Sequence, residues 1–306
     1  MQSSSHPVIN RLADRFRQSW EVVKVSWTVL LQDKELLAFP ILSSIAGILL
    51  FIGLAIPGMA VVANWTVANP DGSTVIHGEG GDFVLGGMIL WYFSTAFVAT
   101  FMNAALVACV RKRLAGGDPT LGYGLTEAAR RIVPILGWSL LTTSVGILLR
   151  LMASSAKERG GLLGFIGQVV VGLIGFAWTI ATMFVVPVMI IEGSGVFASF
   201  KRSAELLRRT WGEQLILNAS VGFVFTYLYG AVAGLVTFVV FLRLFVIPFA
   251  IWPVVVAAGL FVAIAFVLQF TLTGIFNTVL YTFATGEKVP GRFGEIAPLT
   301  LTAPSK

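Results

Sequence analysis

Six long apolar runs set the rhythm of the chain, at approximately 39–62, 83–110, 132–151, 162–191, 215–242 and 254–283. A hydrocarbon layer about 30 Å thick is crossed by roughly 20 apolar residues in a helix, so each run predicts a membrane span. Pro248 and Pro253 precede the last run and predict a broken or interfacial piece before it. Three polar gaps carry a helical period of their own. From Asn10 to Leu31, Leu12, Phe16, Trp20, Val23, Trp27 and Leu30 recur every three or four positions. After the Gly116 to Pro119 turn, Leu121, Leu125, Ala128 and Ile132 form a second line beside Glu127, Arg130 and Arg131. Before the fifth run, Phe197, Phe200, Ala204, Leu207 and Trp211 oppose Lys201, Arg202, Glu205, Arg208 and Arg209. Such faces predict amphipathic helices at the headgroup boundary, with Trp20, Trp27, Phe197, Phe200 and Trp211 as membrane-surface anchors. The expected fold is all-α: a bundle of six transmembrane helices with three amphipathic helices on the cytoplasmic side. Residues 1–9 read as a disordered tail, 10–285 as one transmembrane domain and 286–306 as a cytoplasmic tail.

Charge turns this pattern into a topology. Lysines and arginines number 5, 0, 5, 3, 4, 1 and 3 in the successive gaps, so 17 of the 21 share one side of the predicted bilayer. The bias predicts that side, and both termini, to be cytoplasmic. The net charge of +6 then belongs to orientation and to anionic lipid headgroups on the cytoplasmic leaflet, and nucleic-acid binding is an unnecessary reading. A leader of 38 residues before the first run is too long for a signal n-region, which argues against cleavage there. Composition adds the membrane class directly: 57% apolar residues, 12% charged residues and a mean hydropathy of +0.88 leave too little polar surface for a soluble α protein of 306 residues.

The gaps and runs also suggest a threefold repeat of amphipathic helix, outgoing span and returning span, beginning near Asn10, Thr120 and Ser194. Arg130-Arg131 precedes Ser144-Val145-Gly146 much as Arg208-Arg209 precedes Ser220-Val221-Gly222. Two returning spans carry Asn103-Ala104-Ala105-Leu106 and Asn277-Thr278-Val279-Leu280. The opening letters Ser19-Trp20, Ser26-Trp27 and Asp33-Lys34-Glu35-Leu36-Leu37-Ala38-Phe39-Pro40 are of the same structural kind. In these letters the chain resembles an uncharacterised family of six-helix prokaryotic integral membrane proteins, a domain-of-unknown-function group distantly similar to the membrane region of glycerophosphodiester phosphodiesterases. The resemblance implies a multi-pass protein of a prokaryotic inner membrane. It brings no catalytic residue, and no appended soluble catalytic domain is expected.

Side chains that carry chemistry are sparse. The histidines are His6 and His77, neither in a helical pair with a carboxylate, so a His-Glu-x-x-His zinc site is excluded. His77 has Asp71, Glu79 and Asp82 nearby, which reads as a solvated connector before a metal loop. Cys109 is single, and packing is its expected role. No metal, cofactor or nucleophile motif follows, and a non-enzymatic protein is expected. No charged residue sits in the middle of a run, which disfavours a proton-driven pump. Five amides fall inside the runs: Asn103, Gln168, Asn218, Gln269 and Asn277. They read first as interhelical glue and second as the lining of a polar cavity. Glu192 closes the fourth run, where Arg208 or Arg209 is the expected interfacial partner. Arg150 and Arg243 are expected to snorkel to headgroups. The leading expectation is lipid interaction, membrane organisation or scaffolding, and the alternative is a transporter or channel for a small neutral or amphipathic solute.

Overall fold

The computed structural model describes residues 26–68, 74–76, 79–208, 228–237, 239 and 252–286. Helix α1 is described over 26–32 and leads through a 3-10 turn, Lys34–Leu37, into α2, Ala38–Trp65. A small antiparallel hairpin follows, β1 Thr66–Ala68 with β2 Thr74–Ile76, Val67 opposite Val75. Then come α3 Glu79–Leu114, α4 Leu121–Arg130, α5 Ile132–Glu158, α6 Gly161–Ala181 and α7 Val185–Ile191. Helix α8 is described over 196–208, α9 is Leu228–Thr237 and α10 is Trp252–Ala284. Five helical segments are long and apolar enough to cross a membrane: Lys34–Gly58, Val84–Leu114, Ile132–Glu158, Gly161–Ile191 and Pro253–Ala284. The expected span 215–242 lies outside the described residues except for α9 and residue 239.

Helix α3 is the hub, packing against α2, α4, α5, α7 and α10. At 1.5 Å per residue, its 36 residues and the 33 of α10 measure about 54 and 50 Å, well beyond a hydrocarbon layer of about 30 Å. The core sits at one end of these helices. Ala104 to Val110 of α3 and Ile275 to Leu280 of α10 are almost wholly buried apart from Asn277, together with Leu36, Phe39, Ala128, Ile135 and Phe184 to Met189. Toward the other end, Leu85 to Trp91, Leu162 to Phe176 and Val256 to Phe266 present rows of exposed apolar side chains.

Three local devices shape the packed end. Thr120 caps α4 by accepting from the Tyr123 amide at 3.3 Å, as an N-cap threonine should. At Gly124 a Cβ would come within 2.6 Å of Cys109 Sγ and 2.7 Å of the Ala105 carbonyl, so the glycine lets α4 lie directly on α3. Pro187 breaks the fourth span: it has no amide for the carbonyl four residues back and crowds that turn, and the helix opens at Thr182–Phe184 before resuming as α7.

Candidate functional site

The break between α6 and α7 is filled from α8. Ser203, fully buried, accepts from the Phe184 amide at 3.2 Å and donates to the Ala181 carbonyl at 2.7 Å, satisfying two backbone groups released by the interruption. Ser199 and Leu206 share this buried face, and Ser199 pairs with Ser194 at 2.7 Å. The sequence pattern puts Phe197, Phe200, Ala204 and Leu207 on the sticky face. In the structure Phe197 is 79% exposed, as a surface residue would be, and the buried line joins Ser199 and Ser203 with Leu206 and Leu207. Helix α8 turns that way because seating under the broken span demands short side chains with hydroxyls. Phe200 stacks on Trp178 at 5.7 Å, and Trp178 on Trp138 at 6.0 Å, so this ring ends an aromatic column. In α1, Ser26, Val29 and Leu30 face inward and Trp27 is exposed. Trp20 and Trp211 lie outside the described residues.

The α7–α8 elbow turns at Gly193, whose φ of +70° is costly for any residue with a Cβ. Arg131, at the α4–α5 junction, donates to the Gly193 carbonyl at 2.9 Å. Glu192 accepts from Arg202 Nε at 3.1 Å and from the Tyr281 hydroxyl at 2.8 Å, tying the elbow to α8 and α10. Its partner is therefore Arg202 and not Arg208, which is exposed three turns into α8; Arg209 lies outside the described residues. On the far side of the core, Asp33 forms a bidentate pair with Arg113, which also meets Asp118. Lys112 sits 4.3 Å from the centre of the Tyr123 ring. Burial pushes the Tyr123 phenol above its ordinary pKa, and the Glu127 charge adds to the effect.

The amides separate by position. Asn103 lies against Gly274 of α10, where a Cβ would approach its Oδ1 to 3.0 Å. Asn277 is one turn further along α10, its Oδ1 buried without a hydrogen-bond partner. Gln269 accepts from the Tyr229 hydroxyl at 2.7 Å, joining α10 to α9. Gln168 is exposed on α6, and Asn218 lies outside the described residues. Among the described residues, no group of three His, Cys, Asp or Glu side chains is placed to hold a metal ion. His77 is outside them.

Beside the packed end, α2, α9 and α10 enclose an open groove of about 810 Å³. Leu37, Ile41 and Ile45, spaced at i, i+4 and i+8, form one wall, with Tyr229, Val262 and Phe266 opposite. Ser44 also lines it, but its hydroxyl is spent on the Pro40 carbonyl at 2.8 Å. The volume falls in the usual range for small-molecule sites, and the lining is apolar enough to take a hydrocarbon chain and too poor in hydrogen-bonding groups to orient a polar solute. Sequence reasoning missed the groove because it depends on which helices are neighbours. It missed Ser203, Arg131, Arg202 and Tyr281 for the same reason, although Pro187 inside an apolar run was a readable sign of a break needing polar partners.

Comparison with curated proteins and with solved structures gives no match. The model of a family of unknown function, DUF6159, matches residues 83–291, from the first turns of α3 through the whole of α10. The chain belongs to the DUF6159 family.

Proposed function

We propose that the protein is a non-enzymatic integral membrane protein of a prokaryotic inner membrane that acts on lipids, organising them around a rigid end. The observation that carries this reading is the apolar groove between α2, α9 and α10, whose proposed occupant is the acyl chain of a membrane lipid. Three features support it. The groove is formed by spans whose neighbouring faces are exposed and apolar. None of the described amides lines it. The polar contacts gather instead at the packed end, among Arg113, Arg131, Glu192 and Arg202. With the lysine and arginine bias, we place that end and both termini in the cytoplasm, beside anionic headgroups. The apolar run 215–242 supports a sixth crossing in this reading, and the short amphipathic stretches before the first, third and fifth runs support three starts of a threefold unit. We read the distant similarity to the membrane region of glycerophosphodiester phosphodiesterases as one of layout, without hydrolytic activity.

A transporter or channel for a small neutral or amphipathic solute is the second reading, favoured by the unpartnered Asn277 Oδ1 near Asn103. Mass spectrometry of lipids retained by the purified protein distinguishes the two. Filling the groove with Ala263→Trp should remove retained lipid while Asn103→Ala and Asn277→Ala leave it in place. Solute flux in proteoliposomes that depends on the two asparagines, with lipid retention indifferent to Ala263→Trp, would establish the transporter instead.

A further inference from the structure

Arg150 of α5 sits in an unusual place. It lies just over two turns before Glu158, flanked by exposed Leu148, Leu151 and Met152. At 1.5 Å per residue its Cα is about 12 Å from the helix end, whereas α5, about 40 Å long, overhangs a centred hydrocarbon layer of about 30 Å by only about 5 Å at each end. The side chain therefore starts near the edge of the apolar layer, within reach of the headgroups. The guanidinium stays charged and reaches toward the headgroups, where an anionic partner is favoured.

Among the described residues Arg150 forms no ion pair. Its partner is the face of Tyr92 on α3, with the guanidinium carbon 5.4 Å from the ring centre. The ring is seated by design of the backbone: Gly146, one turn before Arg150, leaves room for the Tyr92 hydroxyl, and a Cβ at 146 would collide with it. A ring face steadies the cation but accepts none of its five N–H groups in the plane of the fork. An anion with paired oxygens, reached by a side chain that snorkels outward, would meet the fork in its plane. Lys157 and Arg159 flank Glu158 at the same end of α5 and leave that end net positive.

We propose that Arg150, held over Tyr92 by the Gly146 notch, binds the phosphate of a membrane phospholipid in the leaflet at the α5–α6 turn. This site belongs to α3 and α5 and takes a headgroup, so it is separate from the acyl groove of α2 and α10. The test is native mass spectrometry of the full chain titrated with dioleoylphosphatidylglycerol or with dioleoylglycerol, which lacks the phosphate. Wild type should retain the phospholipid and not the neutral lipid at this site. Arg150→Gln should weaken phospholipid retention about tenfold, the loss expected for charge-assisted hydrogen bonds, and Arg150→Lys should give a smaller loss. Gly146→Ala, which leaves the arginine in place but displaces Tyr92, should also weaken it. Ala263→Trp should leave the Arg150-dependent retention intact even where it empties the groove. Equal retention by wild type and Arg150→Gln, or equal binding of dioleoylglycerol, would overturn the assignment. An unchanged affinity in Gly146→Ala would overturn the role of the notch. Displacement of the lipid by millimolar inorganic phosphate would show that the ligand is the free ion and overturn the lipid assignment.

Discussion

The two ends of α3 differ although both are apolar. Leu85, Met88, Ile89 and Leu90 are each more than half exposed, whereas Ala104, Ala105, Leu106 and Val110 are fully buried. The difference teaches where the fold energy resides. Lipid tails are as apolar as leucine, so hydrophobic burial does not drive the spans together inside the bilayer; close packing and hydrogen bonds must do it. At the buried end α3 packs against α4, α7 and α10, and Ser203 of α8 bonds the backbone of the broken span. The packed end is thus a core shared by several helices, while the other end is an exposed apolar band.

Four substitutions break or sharpen that contrast. The largest effect should follow Arg113→Met, which strands the carboxylate of Asp33, only 8% exposed, at a cost of about 3 kcal/mol in denaturant unfolding of the purified protein. Ser203→Ala comes next: it leaves the Phe184 amide and Ala181 carbonyl of the broken span unpaired, and unfolding should register about 2 kcal/mol. Gly193→Ala forces a Cβ into a left-handed turn and against Arg131, so a loss of about 1–2 kcal/mol is expected, visible as faster proteolysis at the elbow. Leu163→Ala, at a lipid-facing position 74% exposed, should shift stability by less than about 0.5 kcal/mol. A Leu163 effect as large as that of Ser203 would mean the band is an interior surface.

Much of the architecture was legible in the residues because a bilayer imposes length. The runs at 39–62, 83–110, 132–151, 162–191 and 254–283 all correspond to helices that can span. Period alone served less well for the short helices. In α8 the hydrophobic letters mark the outer face with Phe197, whereas the broken span presents unsatisfied backbone, and Ser203 answers it. The spacing of apolar letters records affinity for an apolar phase and is blind to a carbonyl in need of a donor. Glu192 was legible as an interfacial acid, yet its partner was not: Arg202 and Tyr281 are chosen by the turn at Gly193 and the approach of α10. As letters the amides form one class, whereas the structure gives Gln269 a partner, buries the Asn277 oxygen and leaves Gln168 on the surface. These distinctions depend on helix rotation, which polar letters inside apolar runs do not encode.

If lipid chains meet the groove and the exposed band but not the packed end, photolabelling will show it most directly. The purified protein is reconstituted with a phospholipid carrying a diazirine in its acyl chain, irradiated, and mapped by peptide mass spectrometry. Labelling should concentrate on 41–45, 162–176 and 256–267 and spare 104–110 and 275–282. Labels spread evenly over both regions, or concentrated in the packed end, would contradict this division of the molecule.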